Sequence, residues 1–384
     1  MKNLLLAAES PYTRKKSMQE LKARIAKLTA LWGGTLPLMN SPMAGVTTCE
    51  MVAAVSNAGG LGVLAGDFLE PEALKAVVQY TRTLTDRPFA VNLRVRDKEG
   101  KSQFFDNDEE RAKAQGVARA LEDLAVDLGL PQDYAPAALP DFEAQLDCIL
   151  DLNVGHVCVS FGGLREIYAE KLEKAGVVMI GAATTLREVK VMRSAGVHAV
   201  VVQGMEAGGP RLNFEAADDR SLVGLMNLIG PAARACGLPV VASGGIMTGR
   251  QLAASLVAGA SGAMIGTALL KTPESAAHPA HKEALSFTGD NATVLTRLYD
   301  GRLARIVDNA FVGAIEDAGL ELAAYPNQWK VMQPLANAAR ACDRDDLMPM
   351  YAGQGAELAQ SAPTEAVIAR LMRETEQALE TKLF

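Results

Sequence analysis

Residues 239–270 read PVVASGGIMTGRQLAASLVAGASGAMIGTALL. Two short apolar runs, Pro239–Gly245 and Gly262–Leu270, flank a helical pattern over Thr248–Ala258. The runs are continuously apolar instead of alternating, which is how parallel strands buried on both faces read. Strand, helix and second strand make one βα unit, and the chain upstream repeats it. The other runs are Leu36–Gly45, Leu61–Asp67, Phe89–Val95, His156–Gly162, Val177–Ala182 and Ala199–Gly204. Helical patterns with apolar residues three or four apart cover Thr48–Asn57, Glu70–Thr81, Gly163–Lys174, Thr185–Ser194 and Ser221–Ala235. Eight runs of this kind predict an α/β fold, a (β/α)8 TIM barrel. An open doubly wound sheet is the alternative, but no G-x-G-x-x-G follows a strand.

Three segments exceed a minimal barrel. Residues 12–31 read as an amphipathic helix outside the main fold. Residues 97–150 form an insertion between the third and fourth strands, helical over Asp108–Leu128 and Pro/Ala-rich over Pro131–Pro140. Residues 275–384 read as mostly helical. The insertion and the tail are expected to pack over the barrel mouth as a helical cap. The implied organisation is an N-terminal helical extension (1–35), a barrel (36–274) carrying the insertion, and a C-terminal helical cap (275–384).

Composition narrows the function. The 384 residues are 49% hydrophobic and 22% charged, with net charge −7, an ordinary globular balance that excludes disorder as the main state. A sequence pI near 5.3 argues against nucleic acid as a partner. Cys49, Cys148, Cys158, Cys236 and Cys342 are odd in number, widely spaced and without a CxxC, so a disulfide scaffold or zinc ribbon is not expected. The apolar run Leu4–Ala8 is too short for a signal peptide. No apolar stretch approaches the roughly 18 residues of a membrane span. A cytoplasmic protein acting on a small molecule, with no membrane partner, is expected; a homo-oligomer is left open.

Active sites in this fold lie where the strands end. Those ends read Asn40–Gly45, Asn92, Ser160–Gly163, Gln203–Gly209, Ser243–Ile246 and Gly266-Thr267. The loops after strands seven and eight often build a phosphate site. Gly244-Gly245 permits close backbone approach, the helix from Thr248 points N–H groups at an anion, and Gly266-Thr267 adds donors and a hydroxyl. The glycines serve either a phosphate monoester or merely tight turns. Asn92 and Gln203 end buried strands, where an amide needs a partner. They either match the alternating donor and acceptor edge of a flavin-like heterocycle or cap strand-end backbone.

Candidate acids and bases are scarce. His156 and His198 precede their strands, on the bottom face. His278 and His281 follow the eighth strand, on the correct side. There is no H-E-x-x-H, no His/Asp/Glu cluster for a metal and no G-x-S-x-G elbow. A mouth of glycines, amides and hydroxyls suits a cofactor that carries the chemistry itself.

The order and spacing of several segments resemble the nitronate monooxygenase (2-nitropropane dioxygenase) family of FMN-dependent barrels. These are Ser41–Gly45, Ala58–Gly62, Val91–Leu93, Val159–Gly162, Gln203–Gly209, Ala242–Ile246 and Ile265–Thr267, then Thr272–Ser275, Asp308-Asn309 and Ala352–Gly355 in the tail. The likeness runs from about residue 36 to the C-terminus. It implies FMN as cofactor, its phosphate on Gly244, Gly245, Gly266 and Thr267. Asn92, Gln203 and the backbone around Met43 and Ala44 would hold the ring and ribityl chain, and Gly208 and Gly209 would line the same group.

One departure stands out. The family pattern continues Gln-Gly-x-Glu-Ala-Gly-Gly-His, and that histidine is its catalytic base. Here the position is Pro210, which has no proton to exchange. The resemblance therefore implies an enzyme that oxidises a small nitronate-like carbon anion with oxygen, with activity on neutral nitroalkanes weak or lost. The neighbouring Arg211 is either an anion attractor or a surface arginine. His281, Tyr299 and Tyr325 are candidates, by location, to replace the base. The alternatives are an NAD(P)H-dependent FMN reductase of quinones or enoyl thioesters, and a flavin-binding protein without turnover.

Overall fold

The computed structural model describes residues 11–95, 106–131 and 135–380. The start of the expected insertion, part of its Pro/Ala-rich stretch and the Leu4–Ala8 run lie outside the described residues. The strands are β1 (Leu38–Asn40), β2 (Gly62–Ala65), β3 (Phe89–Arg94), β4 (His156–Ser160), β5 (Val178–Ala183) and β6 (Ala199–Gln203). The chain continues with β7 (Gly209–Pro210), β8 (Val240–Ser243), β9 (Gly262–Ile265), β10 (Thr293–Thr296) and β11 (Ala304–Val307). Eight of these form one parallel sheet in the order β1-β9-β8-β6-β5-β4-β3-β2. A single parallel bridge, Met39 to Leu61, brings its two edges together. Asn40 reinforces that seam: its side chain donates to the Val63 carbonyl at 2.9 Å and accepts from the Val63 N–H at 2.8 Å. The result is a nearly closed α/β barrel with helices outside.

The unbroken apolar runs have a direct cause. On β6, Ala199 and Val201 point into the barrel while Val200 and Val202 meet the outer helices; on β8, Val241 points in and Val240 and Ala242 point out. Both faces of each strand are buried, so neither face selects polar residues. Thr48, Thr185 and Thr248 each accept a backbone N–H at a helix start, which ends the preceding loop where a side-chain cap is available.

Three features differ from the sequence reading. The helix Pro11–Trp32 is not outside the fold. Leu28 and Trp32 are fully buried in the same cluster as Met39, Val63, Val201 and Met264, so the helix plugs the barrel floor. The tail is not only helical: β10, β11 and β7 form a three-stranded antiparallel sheet. Its last helix, Thr364–Glu380, does not cover the mouth but returns to the barrel wall, with Thr375 Oγ1 donating to the Gly249 carbonyl. The cap itself is a joint structure. Val117, Leu121 and Leu128 of the insertion share one apolar cluster with Leu298, Ile306, Met332 and Leu335 of the tail.

Candidate active site

The C-terminal ends of the barrel strands open into a cavity of about 510 Å³, within the usual range for small-molecule sites. Its floor is apolar: Cys158, Ile180, Ala182, Val201 and Met264. Its roof comes from the helix Asn327–Ala341, whose Trp329 stacks on Phe68 at 4.7 Å. Met43, Ala44, Asn92, Gln203, Gly208, Gly209, Gly244, Gly245, Gly266 and Thr267 all line this one cavity, together with Pro210 and His281.

At one end Gly244 and Gly245 follow β8 with φ of 118° and 68°, a conformation that side chains rarely adopt. Among the described residues, the N–H groups of Gly244, Gly245 and Ile246 donate to no protein acceptor. Unpaired backbone donors at a half-buried turn that lines a cavity can serve an external acceptor such as an anion. Gly208 fits closely against the tail, and a Cβ there would come within 2.5 Å of the Ala352 carbonyl carbon. The Gly353 N–H donates to Thr267 Oγ1 at 3.0 Å, so the tail braces the cradle. The helix Gly249–Ala258 contributes differently than its position in sequence implies. Its first donors are satisfied within the protein: Met247 and Thr248 N–H by Gln251 Oε1, and Gly249 N–H by Glu374 at 2.8 Å. The unpaired donors at this end of the cavity belong to the glycine turn, not to the helix end.

The two amides are held by protein groups. Asn92 Nδ2 donates to the Asp67 carboxylate and, at 3.3 Å, to Ser160 Oγ. Gln203 Nε2 donates to the Pro210 carbonyl at 3.1 Å, and its Oε1 accepts from the Leu212 N–H at 3.0 Å. Gln203 thus clamps the β6–β7 connection while facing the cavity.

That connection is tied down by pairing and hydrogen bonds. β7 pairs with β11, Pro210 opposite Ala304. Arg211, the proposed anion attractor, is neither in the cavity wall nor on the surface. It is fully buried, and its guanidinium donates to the carbonyls of Gly204 (2.6 Å), Gln203 (3.1 Å) and Ser221 (2.7 Å). Burial lowers its pKa to about 10, Glu188 and Glu206 partly offsetting that effect, so it remains a cation at neutral pH.

The titratable groups of the cavity differ in use. Burial, with Asp67 adding to it, pushes the Cys158 thiol up to about 12, which makes it inert. The Tyr299 hydroxyl donates to the Leu347 carbonyl at 2.9 Å and is pushed up to about 12 by burial. Tyr325 is buried beside the cavity, its ring 4.4 Å from the Arg94 guanidinium. His281 lines the cavity with Nε2 unpartnered among the described residues. Burial, reinforced by Arg340 and only partly countered by a hydrogen bond to the Tyr351 backbone, lowers its pKa to about 4. The unfolded imidazole titrates near 6.5. Between these values the unfolded chain binds the proton and the folded chain does not, so stability falls as pH drops from 6.5 towards 4. The full window is worth up to roughly 3 kcal/mol. Thermal melts should show a larger Tm loss on acidification for the wild type than for His281→Gln, and equal losses would contradict this.

Sequence reasoning missed Arg94 and Asp300. Both line the cavity, both are buried, and Arg94 Nη2 lies 3.5 Å from Asp300 Oδ2. An arginine inside the apolar run Phe89–Val95 was the available signal. Asp300 gave none, because its segment reads as helix and folds as the β10–β11 connection. Among the described residues no group of three or more His, Cys, Asp or Glu could hold a metal, and no helix is long and apolar enough to cross a membrane.

Comparison with known proteins agrees with this geometry. The family model for nitronate monooxygenase matches residues 26–374. A probable nitronate monooxygenase from Staphylococcus aureus (strain JH9) is 31% identical over 358 residues, 93% of this chain and 99% of that protein. A nitroalkane oxidase structure from Streptomyces ansochromogenes superposes with TM-score 0.83 at 34% identity, covering 91% of this chain and 98% of that one. FabK from Thermotoga maritima, 24% identical with TM-score 0.72 over 92% of this chain and 97% of its own, shares the fold.

Proposed function

Because the chain belongs to the nitronate monooxygenase family, a family of oxidoreductases, we propose that it holds FMN in the barrel-mouth cavity and oxidises a small nitronate-like carbon anion with oxygen. The observation that carries this reading is the cradle of unpaired N–H groups at Gly244–Ile246, joined to an apolar cavity with room for a planar group. A phosphate monoester there would satisfy half-buried donors that no protein group satisfies. Gly266 and Thr267 border the same end, and Asn92, Gln203, Met43 and Ala44 the region a flat ring would cover. Bound there, the flavin would supply the electron acceptor for the substrate and the site at which oxygen is reduced. The protein's part is to bind, orient and exclude water: Trp329, Met332 and Phe68 close the cavity from above. Arg94 and Arg340 give the wall cationic groups suited to an anion.

The purified protein should be yellow, should stay oxidised when mixed anaerobically with NADH or NADPH, and should consume oxygen with an alkyl nitronate. Bleaching by a nicotinamide would replace this reading with the quinone or enoyl reductase. A colourless protein that FMN cannot reconstitute would end it.

A further inference from the structure

Pro210 leaves the β6–β7 connection without a base, but a buried carboxylate faces the same cavity from the strand pair next to it. Resting on the FMN reading above, we propose that Asp300 is the general base of this site and Arg94 its positioning residue, so that the enzyme also accepts neutral nitroalkanes and deprotonates them beside the nitro group.

Three observations carry this. First, β11 pairs with β7 in a register that sets Ala304 opposite Pro210, and Asp300 lies in the connection leading into β11. Pro210 and Asp300 both line the cavity, so the tail contributes a carboxylate to the cavity that the histidine position faces. Second, Asp300 is 3% exposed, lines the cavity, and its Oδ1 has no hydrogen-bond partner among the described residues. A buried carboxylate oxygen left without a donor is costly and calls for a function. Third, Arg94 is itself an under-used cation. Its guanidinium lies 3.7 Å from the Phe161 ring centre and 4.4 Å from that of Tyr325. Its Nε and Nη1 have no hydrogen-bond acceptor among the described residues.

The pair suits proton abstraction. Asp300 Oδ1 takes the proton from the carbon bearing the nitro group. The C–H electron pair becomes the C=N bond, and an N=O π pair moves onto oxygen. The products are a neutral carboxylic acid and a nitronate anion. Total charge is unchanged: the negative charge passes from Asp300 to the substrate oxygens, and Arg94, which pairs with the first, is placed to stabilise the second. The competing groups are less suited. The Asp67 carboxylate accepts the Asn92 amide. His281 would have to become a cation where burial and Arg340 both oppose it. The Tyr299 hydroxyl is committed to a carbonyl.

The test is exchange of the α-hydrogens of nitroethane in D2O, followed by NMR with the anaerobic holoenzyme, alongside aerobic turnover of nitroethane and of its nitronate. The wild type should exchange above the buffer rate and use both substrates. Asp300→Asn should lower exchange, and the ratio of nitroethane to nitronate turnover, by about 10² to 10⁴-fold. If that variant does not fold, Asp300→Glu keeps the charge beside Arg94 and displaces the carboxylate; it should lower the same ratio by about tenfold or more. Wild-type exchange retained in Asp300→Asn, or a ratio unmoved in Asp300→Glu, overturns the proposal. So does a wild type that oxidises the nitronate without catalysing exchange, and in that case the FMN reading stands. A wild type without flavin and without nitronate turnover overturns both.

Discussion

Replacing Glu188 with alanine is expected to lower the unfolding free energy by about 4 kcal/mol or more. Glu188 is fully buried at the third position of the helix Leu186–Ser194, whose cap Thr185 accepts its N–H. One carboxylate oxygen accepts from Thr184 N–H and Oγ1, each at 2.7 Å, and from Thr185 N–H at 3.2 Å. The other accepts from the N–H groups of Phe214 (2.8 Å), Glu215 (3.0 Å) and Ala216 (3.3 Å). Alanine would leave these buried donors without an acceptor and open a void. Hydrogen bonds to a charged group are worth about 1.5 to 3 kcal/mol each, and they fail together here. Urea unfolding of the variant beside the wild type measures the loss. A difference below about 1 kcal/mol would show that the donors find other partners. Residues 214–216 continue the chain that carries Pro210, so the anchor of that loop is the start of the helix after β5, outside the cavity lining.

Arg211→Met should cost about 3 to 5 kcal/mol of stability, with little change in apparent substrate affinity for the protein that remains folded. Methionine approximates the length of the aliphatic stem but donates nothing to the carbonyls of Gln203, Gly204 and Ser221. Denaturant unfolding together with KM for a nitronate separates two roles for this residue. A raised KM with unchanged stability would restore the anion-attracting role that its place beside Pro210 implied. The structure favours the reverse, because the guanidinium is spent on strand-end carbonyls and lies outside the cavity wall.

The two expectations for this loop diverge for one reason. Adjacency in sequence places Arg211 beside the chemistry, but period two along an extended segment sends neighbouring side chains to opposite faces. Pro210 faces the cavity and Arg211 the interior behind it. The same limit explains the helix Gly249–Ala258. Thr248 and Gln251 are readable as a capping box, but the Glu374 carboxylate that takes the Gly249 N–H comes from 125 residues further along the chain. It also explains Asn92, held by the side chains of Asp67 and Ser160 from beyond or at the ends of other strands, and Asp300, which reads as part of a helical tail.

What the amino-acid order determined by itself is the barrel and the ring of residues at its mouth. Strands buried on both faces leave an unbroken apolar signature, and each must end at the C-terminal face, so Met43, Asn92, Gln203, Gly244, Gly266 and their neighbours converge without knowledge of any long-range contact. Tertiary structure alone decided what packs against that ring. It placed Trp32 in the floor, drew β11 alongside Pro210, turned Arg211 inward, and brought Asp300 to Arg94. The physical reason is range. Periodicity and caps are local and are written in consecutive residues, whereas pairing between distant segments depends on which buried donors and charges find each other once the chain is compact.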